Sequence, residues 1–257
     1  QLAQVVPIEA RKYIPVPIHE VLLDWFVVSG GSKEKNASGK IEVLLVAIHN
    51  ETISKFRSII SAASLETSFF EIEVFSAVRA SLEHGIAPIA VVDMGAATTK
   101  FYVVERGLIH ESHIISHGSQ DLTLAASRAL GITVAKAEEY KRKFGLQLGA
   151  PAAPGHEGDM KQTLELSLAP LLSELSRTIT AYEARTNQSL SALVLTGGGA
   201  TLKGMKEFAQ DKIPAELRLA DPFSKTQAPA YLEAILKEAG PEFSVAVGLA
   251  LRRLQEG

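Results

Sequence analysis

The chain has 257 residues, 46% apolar and 21% charged, with a formal net charge of −3 and a pI near 6.2. At roughly 100–200 residues per domain, that length allows one large domain or two small ones. The mildly acidic balance offers no basic face for nucleic acid, and the absence of cysteine excludes disulfides and thiolate metal sites.

The first residues, Gln1-Leu2-Ala3-Gln4, form no signal peptide. With no initiator methionine, the chain is expected to begin inside a longer protein. A helical turn is expected around Ile8–Tyr13, broken by Pro15 and Pro17. Glu20–Val28 reads as a strand, Gly30–Asn36 as a solvated hairpin loop, and residues 41–48 as a buried strand. No apolar run approaches the ~18 residues that span a bilayer, so direct membrane insertion is not expected. Glu51–Ala63 is an expected helix with Ile53, Phe56, Ile59 and Ile60 on one stripe. Thr67–Val74 reads as strand and residues 76–84 as helix.

Ile89-Ala90-Val91-Val92 is a short apolar strand of the kind buried on both faces. Phe101–Arg106 should pair with it through the turn at Gly95, and Leu108–Ser116 should follow as a third strand. Helices are expected over Asp121–Leu130 and Ala135–Phe144, each stopped by a glycine. Glu138–Arg142 and Glu139–Lys143 are i,i+4 pairs that favour the second of these. Residues 147–158 form a Pro/Gly/Ala loop. A long helix over Met160–Arg185 carries the apolar seam Leu164, Leu168, Leu171, Leu175, Ile179 and Tyr182, with a kink or fresh start at Pro170. Leu190–Thr196 is a strand ending in Gly197-Gly198-Gly199. A helix over Leu202–Gln210, a short strand at Arg218–Ala220 and a turn at Asp221–Phe223 come next. Residues 231–238 are helical, and Ser244 should cap a buried last helix through Leu254. Strands alternating with helices argue for α/β layers.

Three segments carry chemistry. In Val91–Lys100 a buried strand delivers Asp93, Gly95 permits a sharp turn, and Thr98 and Thr99 follow. Phosphates need close backbone N–H groups and hydroxyls, and a carboxylate beside them holds Mg²⁺ through water. The plain alternative is a hairpin whose Asp only caps the turn. In Leu193–Leu202 a strand runs through a triple glycine into a helix. That lets a ligand lie on the backbone near a helix N-terminus, although a tight βα turn has the same pattern. The segment is neither a dinucleotide fingerprint nor a P-loop. In Glu71–Ala80 acids stand at the start of a small-residue helix, where interaction with the helix dipole is explanation enough. The seven histidines are scattered and show no metal-ligand spacing.

Taken in order, these segments resemble the connect 1, phosphate 2 and adenosine elements of the actin/sugar-kinase/chaperone ATPase superfamily. Val245–Arg252 resembles its connect 2 helix. Within it the chain is most similar to the PilM family of type IV pilus assembly proteins, on the FtsA/PilM branch. Glu9-Ala10-Arg11-Lys12-Tyr13-Ile14-Pro15, Gly118–Thr123, Leu130-Gly131-Ile132, Ala137-Glu138, Lys141 and Ala220-Asp221-Pro222-Phe223 carry that similarity.

The resemblance implies an α/β, actin-like (ribonuclease H-like) two-lobed ATPase fold with a small inserted α+β subdomain. It places residues 1–7 and 71–88 in the first lobe and 8–70 in the insert. Residues 89–119 and 186–243 become the second lobe's core, 120–185 its helical subdomain, and 244–257 a connecting helix. The implied ligands are ATP and Mg²⁺. Asp93 would face the metal through water, with Gly95, Ala96, Thr98, Thr99 and Lys100 around the phosphates. Gly197, Gly198, Gly199, Thr201 and Leu202 would lie at the adenosine, and Glu73 would position the attacking water. Members begin with a hairpin carrying a further Asp-x-Gly phosphate loop, which this chain lacks ahead of residue 8.

The implied partner is the cytoplasmic N-terminal tail of a PilN-like inner-membrane pilus protein, held in a groove near the insert. The implied role is a bacterial cytoplasmic scaffold, recruited to the inner face of the inner membrane, with weak or no ATPase activity; a homodimer is compatible with it. Rival readings are an FtsA-like filament former and a sugar-kinase-like phosphotransferase.

Overall fold

The computed structural model describes residues 2–28, 41, 43–83, 85, 87–147 and 157–255, and the chain divides after Phe70 into two units. The expected hairpin loop at Gly30–Asn36 lies outside the described residues, as does most of the 147–158 loop.

The first unit contains helix α1 (Leu2–Ala10), strands β1 (Val21–Val27) and β2 (Val43–His49), and helix α2 (Asn50–Ala62). β1 and β2 are antiparallel, with Val21 opposite His49 and Val27 opposite Val43. Val6, Ala10, Val21 and Ile53 are its buried apolar residues. Two strands offer little surface to bury against. Accordingly β2 is half-buried rather than buried, and only Ile53 of the expected α2 stripe is covered. Phe56 and Ile59 remain 51% and 55% exposed.

No strand forms over 67–74. Residues 65–72 are irregular, and helix α3 runs from Glu73 to Ser81. Small residues decide this. Ser76, Ala77 and Ala80 are buried, and a Cβ on Gly248 of the last helix would stand 2.0 Å from the Ser76 carbonyl oxygen. Two helices cross here at a distance no larger side chain permits.

The second unit is built on a five-stranded sheet of order β5-β4-β3-β6-β7. Its strands are β3 (Ile89–Met94), β4 (Thr99–Glu105), β5 (Leu108–Ile115), β6 (Ala192–Thr196) and β7 (Leu217–Leu219). β3, β4 and β5 are antiparallel neighbours, whereas β3, β6 and β7 are parallel. Ala90, Val91 and Val92 are fully buried, as their unbroken apolar run requires in a strand covered on both faces. Arg106 and Gly107 turn β4 into β5 with φ of +52° and +79°, the geometry of a tight hairpin.

One face of the sheet packs beneath α4 (Ser119–Leu130), α5 (Val134–Phe144) and α6 (Glu157–Thr186). All six seam residues of α6 are buried. Burial of each large apolar side chain is worth about 1.5–3 kcal/mol. α6 continues through Pro170, whose ring lies on the exposed side, so the expected restart does not occur. On α5, Glu139 pairs at 2.8 Å with Lys136, one turn before it, and not with the Lys143 expected one turn after it.

The other face carries Val91, Val104, Val194 and Ala220 against the end of α3. Helix α8 (Glu233–Gln255) crosses α3 on that side. It is a single helix through Gly240 and Pro241, so Ser244 lies inside it and caps nothing. It is also less buried than its composition suggests, with Phe243 46% and Leu254 78% exposed. Helix α7 is confined to Met205–Gln210, because Gly204 at φ +78° separates it from a 3₁₀ turn over Gly198–Thr201.

Candidate functional site

The carboxyl ends of β3 and β6 lie side by side in parallel register, Asp93 next to Thr196. Two turns therefore leave the sheet at one point. After β3, the Gly95 N–H donates to the Thr98 carbonyl at 3.0 Å and closes a tight turn into β4. The N-terminus of α4 seats on it. The N–H groups of Ser119 and Gln120 donate to the carbonyls of Gly95 and Ala96, each at 2.9 Å, which satisfies two of the helix's otherwise orphan donors. Gly118 makes that approach possible, since a Cβ there would stand 2.3 Å from the Ala96 oxygen.

After β6, Gly197 adopts φ +82°, ψ +167°, a conformation essentially reserved for glycine. A Cβ on it would meet Asp93 Oδ1 at 2.4 Å, and a Cβ on Gly199 would meet the Met94 Cβ at 2.7 Å. The triple glycine thus packs directly on the turn that bears the acid. Gly198 has only the Glu242 side chain nearby, at 3.9 Å, and is exposed. The Thr196 hydroxyl is buried and lies 2.7 Å from Ser244 Oγ and 3.1 Å from the Pro241 carbonyl. The Gly197 N–H also ends on Pro241, at 2.9 Å.

A cleft of about 620 Å³ opens over these turns. Of the residues expected at a ligand site, Ala96, Gly198, Gly199, Thr201 and Leu202 line it. Thr201 Oγ1 lies 2.9 Å from the Gly198 carbonyl and 3.1 Å from Glu242 Oε1. The remaining expected residues, Glu73 and Lys100 included, do not line it. Asp93 abuts Gly197, one residue from the wall. Thr98 is half-buried in the β3–β4 turn. Thr99 is fully buried and donates to the His117 carbonyl at 2.8 Å, so its hydroxyl builds the turn and is not presented to a ligand. Lys100 stands opposite Asp93 across the β3–β4 ladder and forms an ion pair with Glu73, the first residue of α3.

The charges are arranged unevenly. Burial raises the Asp93 pKa, and among the described residues no hydrogen bond or ion pair compensates its carboxylate. Burial, together with Asp93, pushes the Tyr102 hydroxyl up to about 12. Burial also pulls the Lys100 pKa down, and its ammonium pairs with the Glu73 carboxylate. An uncompensated, desolvated carboxylate beside a turn fits a hydrated divalent cation. A cradle of three glycines fits a ligand that needs backbone at close range.

Sequence reasoning missed the opposite wall. Lys141, 6% exposed, donates to the Ser119 carbonyl at 3.0 Å and to Thr123 Oγ1 at 2.8 Å, and pairs with Glu138 at 2.8 Å. Glu138 also accepts from Thr123 and Arg142. Burial alone would raise its pKa, but the bonds from Lys141, Thr123 and Arg142 hold it down at about 2. Glu138, Lys141 and Arg142 line the cleft with Ile235, Ala239 and Glu242 of α8. Their i,i+3 and i,i+4 spacing reads equally well as ordinary helix-surface pairing, and the family likeness of Glu138 and Lys141 did not mark them as site residues.

The first unit carries its own groove, of about 610 Å³. Leu2, Val5, Val6, Tyr13 and Ile14 line one side, Val43, Leu45 and Ala47 of β2 the other, with Glu9 the one acid among them.

A family model described as type IV pilus assembly protein PilM matches residues 1–254. The cell division protein FtsA of Helicobacter pylori is 27% identical over 236 residues, covering 82% of this chain and 47% of that protein. FtsA of Rhizobium meliloti is 28% identical over 181 residues, covering 63% and 39%. The chain thus spans about half the length, or less, of these curated relatives. Among solved structures, a PilM-PilN type IV pilus biogenesis complex matches with a TM-score of 0.81 and 25% identity, over 98% of this chain and 71% of that one. MreB5 of Spiroplasma citri bound to AMPPNP matches at TM-score 0.58 and 12% identity, over 81% and 66%. EutJ of Carboxydothermus hydrogenoformans matches at 0.57 and 20%, over 79% and 62%. The fold is that of the actin-like ATPases.

Proposed function

The chain belongs to the PilM family of type IV pilus assembly proteins, and from that membership we propose that it is a nucleotide-holding scaffold of the pilus assembly platform at the cytoplasmic face of the inner membrane. Among the described residues no helix is long and apolar enough to cross a membrane.

The observation that carries the nucleotide reading is the packing of Gly197 on Asp93. Two phosphate-type turns leave adjacent strand ends and share one cleft. Bound ATP with Mg²⁺ would supply a polyanion that ties the two turns together. Asp93 would hold the metal through water, and Thr98 and the backbone of Gly197–Gly199 would face the nucleotide. Ile235 and Ala239 would offer an apolar wall, opposite the polar one formed by Glu138, Lys141 and Arg142. Nothing here requires turnover. A ligand held only by the folded state stabilises it by mass action.

The groove of the first unit is the docking place proposed for the tail of a PilN-like membrane protein. Its lining is mainly apolar, which suits an extended or helical peptide with apolar anchors. Support comes from the similarity to the PilM-PilN complex along nearly the whole chain. The test is titration of the purified protein with a fluorescent ATP analogue in Mg²⁺, and separately with a labelled tail peptide of its own genomic PilN-like neighbour. Saturable binding of both is expected. A protein that binds neither would remove this reading, and nucleotide-dependent sedimentation without peptide binding would favour the filament alternative.

A further inference from the structure

The second unit has another cleft, of about 510 Å³, that the proposed function leaves unused. It lies at the opposite end of the sheet from Asp93, where Ile89 begins β3 and the Arg106–Gly107 turn joins β4 to β5. Its volume is within the range of clefts that take ligands. α3 supplies Val78 and Leu82 to its lining, the β4–β5 hairpin Val104 and Ile109, and α8 Leu251 and Leu254. Leu254 is 78% exposed, and Val78 and Ile109 are only half-buried against the small cluster on this face. An apolar recess with a polar rim marks an interaction surface.

The charge at the rim is one-sided. Lys225 donates to the backbone carbonyls of Arg79, at 2.9 Å, and of Leu82. That satisfies acceptors at the end of α3 and leaves the ammonium charge in place. Its acidic partner, Glu83, is 4.0 Å away on an 87% exposed side chain. Arg79 shares the one carboxylate of Glu71 with Arg252. Arg106, held at φ +52° by the turn, has neither hydrogen bond nor ion pair among the described residues. Four cations thus stand against two acids, a local positive excess on a chain whose net charge is −3. Apolar surface alone would admit many partners. The positive rim selects among them, because opposite charge steers encounter and like charge across an interface is costly.

We propose that this cleft docks a short acidic segment of a partner protein. Apolar anchors of that segment fill the recess, and its carboxylates meet Arg106 and Lys225. A helix laid into a groove in this way presents its anchors at i, i+4 and i+7. The first unit's groove differs in sign, since its one charged lining residue is the acid Glu9. Docking here does not depend on what the cleft over β3 and β6 holds.

The test uses the purified protein and two fluorescent helical peptides. Both carry leucine at i, i+4 and i+7. One has glutamate at the flanking positions, and its twin has lysine there. Anisotropy titrations are run on wild type, Leu254→Glu and Arg106→Asp. Both positions are exposed, and aspartate accepts the positive φ at 106, so circular dichroism should show intact folds. Hydrogen exchange with and without peptide locates the contact.

Wild type is expected to bind the acidic peptide saturably and the lysine twin at least about tenfold more weakly. Each variant should also bind the acidic peptide at least about tenfold more weakly than wild type, because it sets a carboxylate against those of the peptide. Protection should appear at the β4–β5 turn and in the last turn of α8. No binding of the acidic peptide by wild type, equal binding of the twins, or unchanged affinity in both folded variants would overturn the inference. Protection confined to the first unit's groove would overturn it as well. So would a wild type that self-associates in sedimentation and becomes monomeric as Leu254→Glu, since a second copy would then be the occupant. The comparison of the twins needs no variant, and it decides the matter if either substitution fails to fold.

Discussion

Gly197 lies so close to Asp93 that a Cβ on it would stand 2.4 Å from the carboxylate oxygen Oδ1. Its φ of +82° and ψ of +167° add a second reason for glycine at this place. Gly197→Ala is therefore expected to cost about 1–3 kcal/mol from backbone strain alone, with the clash against a buried acid in addition. Denaturant unfolding measures the first effect, and nucleotide affinity should fall along with it. A Gly197→Ala protein as stable as wild type would mean that the two turns do not pack as described.

Gly118 makes the same kind of prediction at the other turn. A Cβ there would press on the Ala96 carbonyl at 2.3 Å, where the N-terminus of α4 is seated. Gly118→Ala should force α4 away from the turn, at the roughly 1–3 kcal/mol typical of an overpacked site. Hydrogen exchange should show the amides of Ser119 and Gln120 losing protection before those in the middle of α4.

Two carboxylates should make the second unit acid-sensitive. The Glu71 side chain is 6% exposed and takes two bonds from Arg79, at 2.6 and 2.9 Å, and one from Arg252 at 3.1 Å. Ser76 donates to it as well. Burial would raise its pKa, but the bonds from Arg79 and Ser76 prevail and lower it. Glu138 is held at about 2 by Lys141, Thr123 and Arg142 against the same burial effect. Both groups have folded pKa values below the unfolded one. Their stabilisation is therefore complete above the ordinary carboxylate value of 4.5 and is lost as pH falls through the folded value. Melting temperature should drop between about pH 5 and pH 2, and less steeply in Glu138→Gln. Glu71→Ala leaves Arg79 and Arg252 short of their acid and should cost about 3 kcal/mol at neutral pH.

Val5 lines the first unit's groove and is 51% exposed. Val5→Asp should leave the fold intact, which circular dichroism would check. It should weaken the tail peptide at least about tenfold, because burying that side chain is worth roughly 1.5 kcal/mol. Unchanged peptide affinity would move the docking site elsewhere.

The parts legible in the sequence were those whose burial is decided locally. β3 announced itself as an unbroken apolar run, and the α6 seam as spacings of three and four. The turns at Gly95 and Gly197 were legible because glycine there has few other uses. Pro170 misled, since its ring lies on the exposed side of α6, where the helix continues past it. The alternation from Thr67 to Val74 imitates a strand, yet the segment is irregular to Ile72 and the helix from Glu73 packs its small residues against Gly248. That fact depends on a partner about 170 positions downstream. Glu138 and Lys141 were quoted for family likeness but not as site residues. Charged pairs on a helix mean nothing special until α8 arrives to close the cleft over them.

The Pro241 carbonyl receives both the Gly197 N–H and the Thr196 hydroxyl, and about two turns further along α8 Gly248 packs against the Ser76 backbone of α3. One helix thus touches both the triple-glycine turn and α3. The helix that closes over the triple glycine is therefore the same one that packs against α3, on the far face of the sheet from α6.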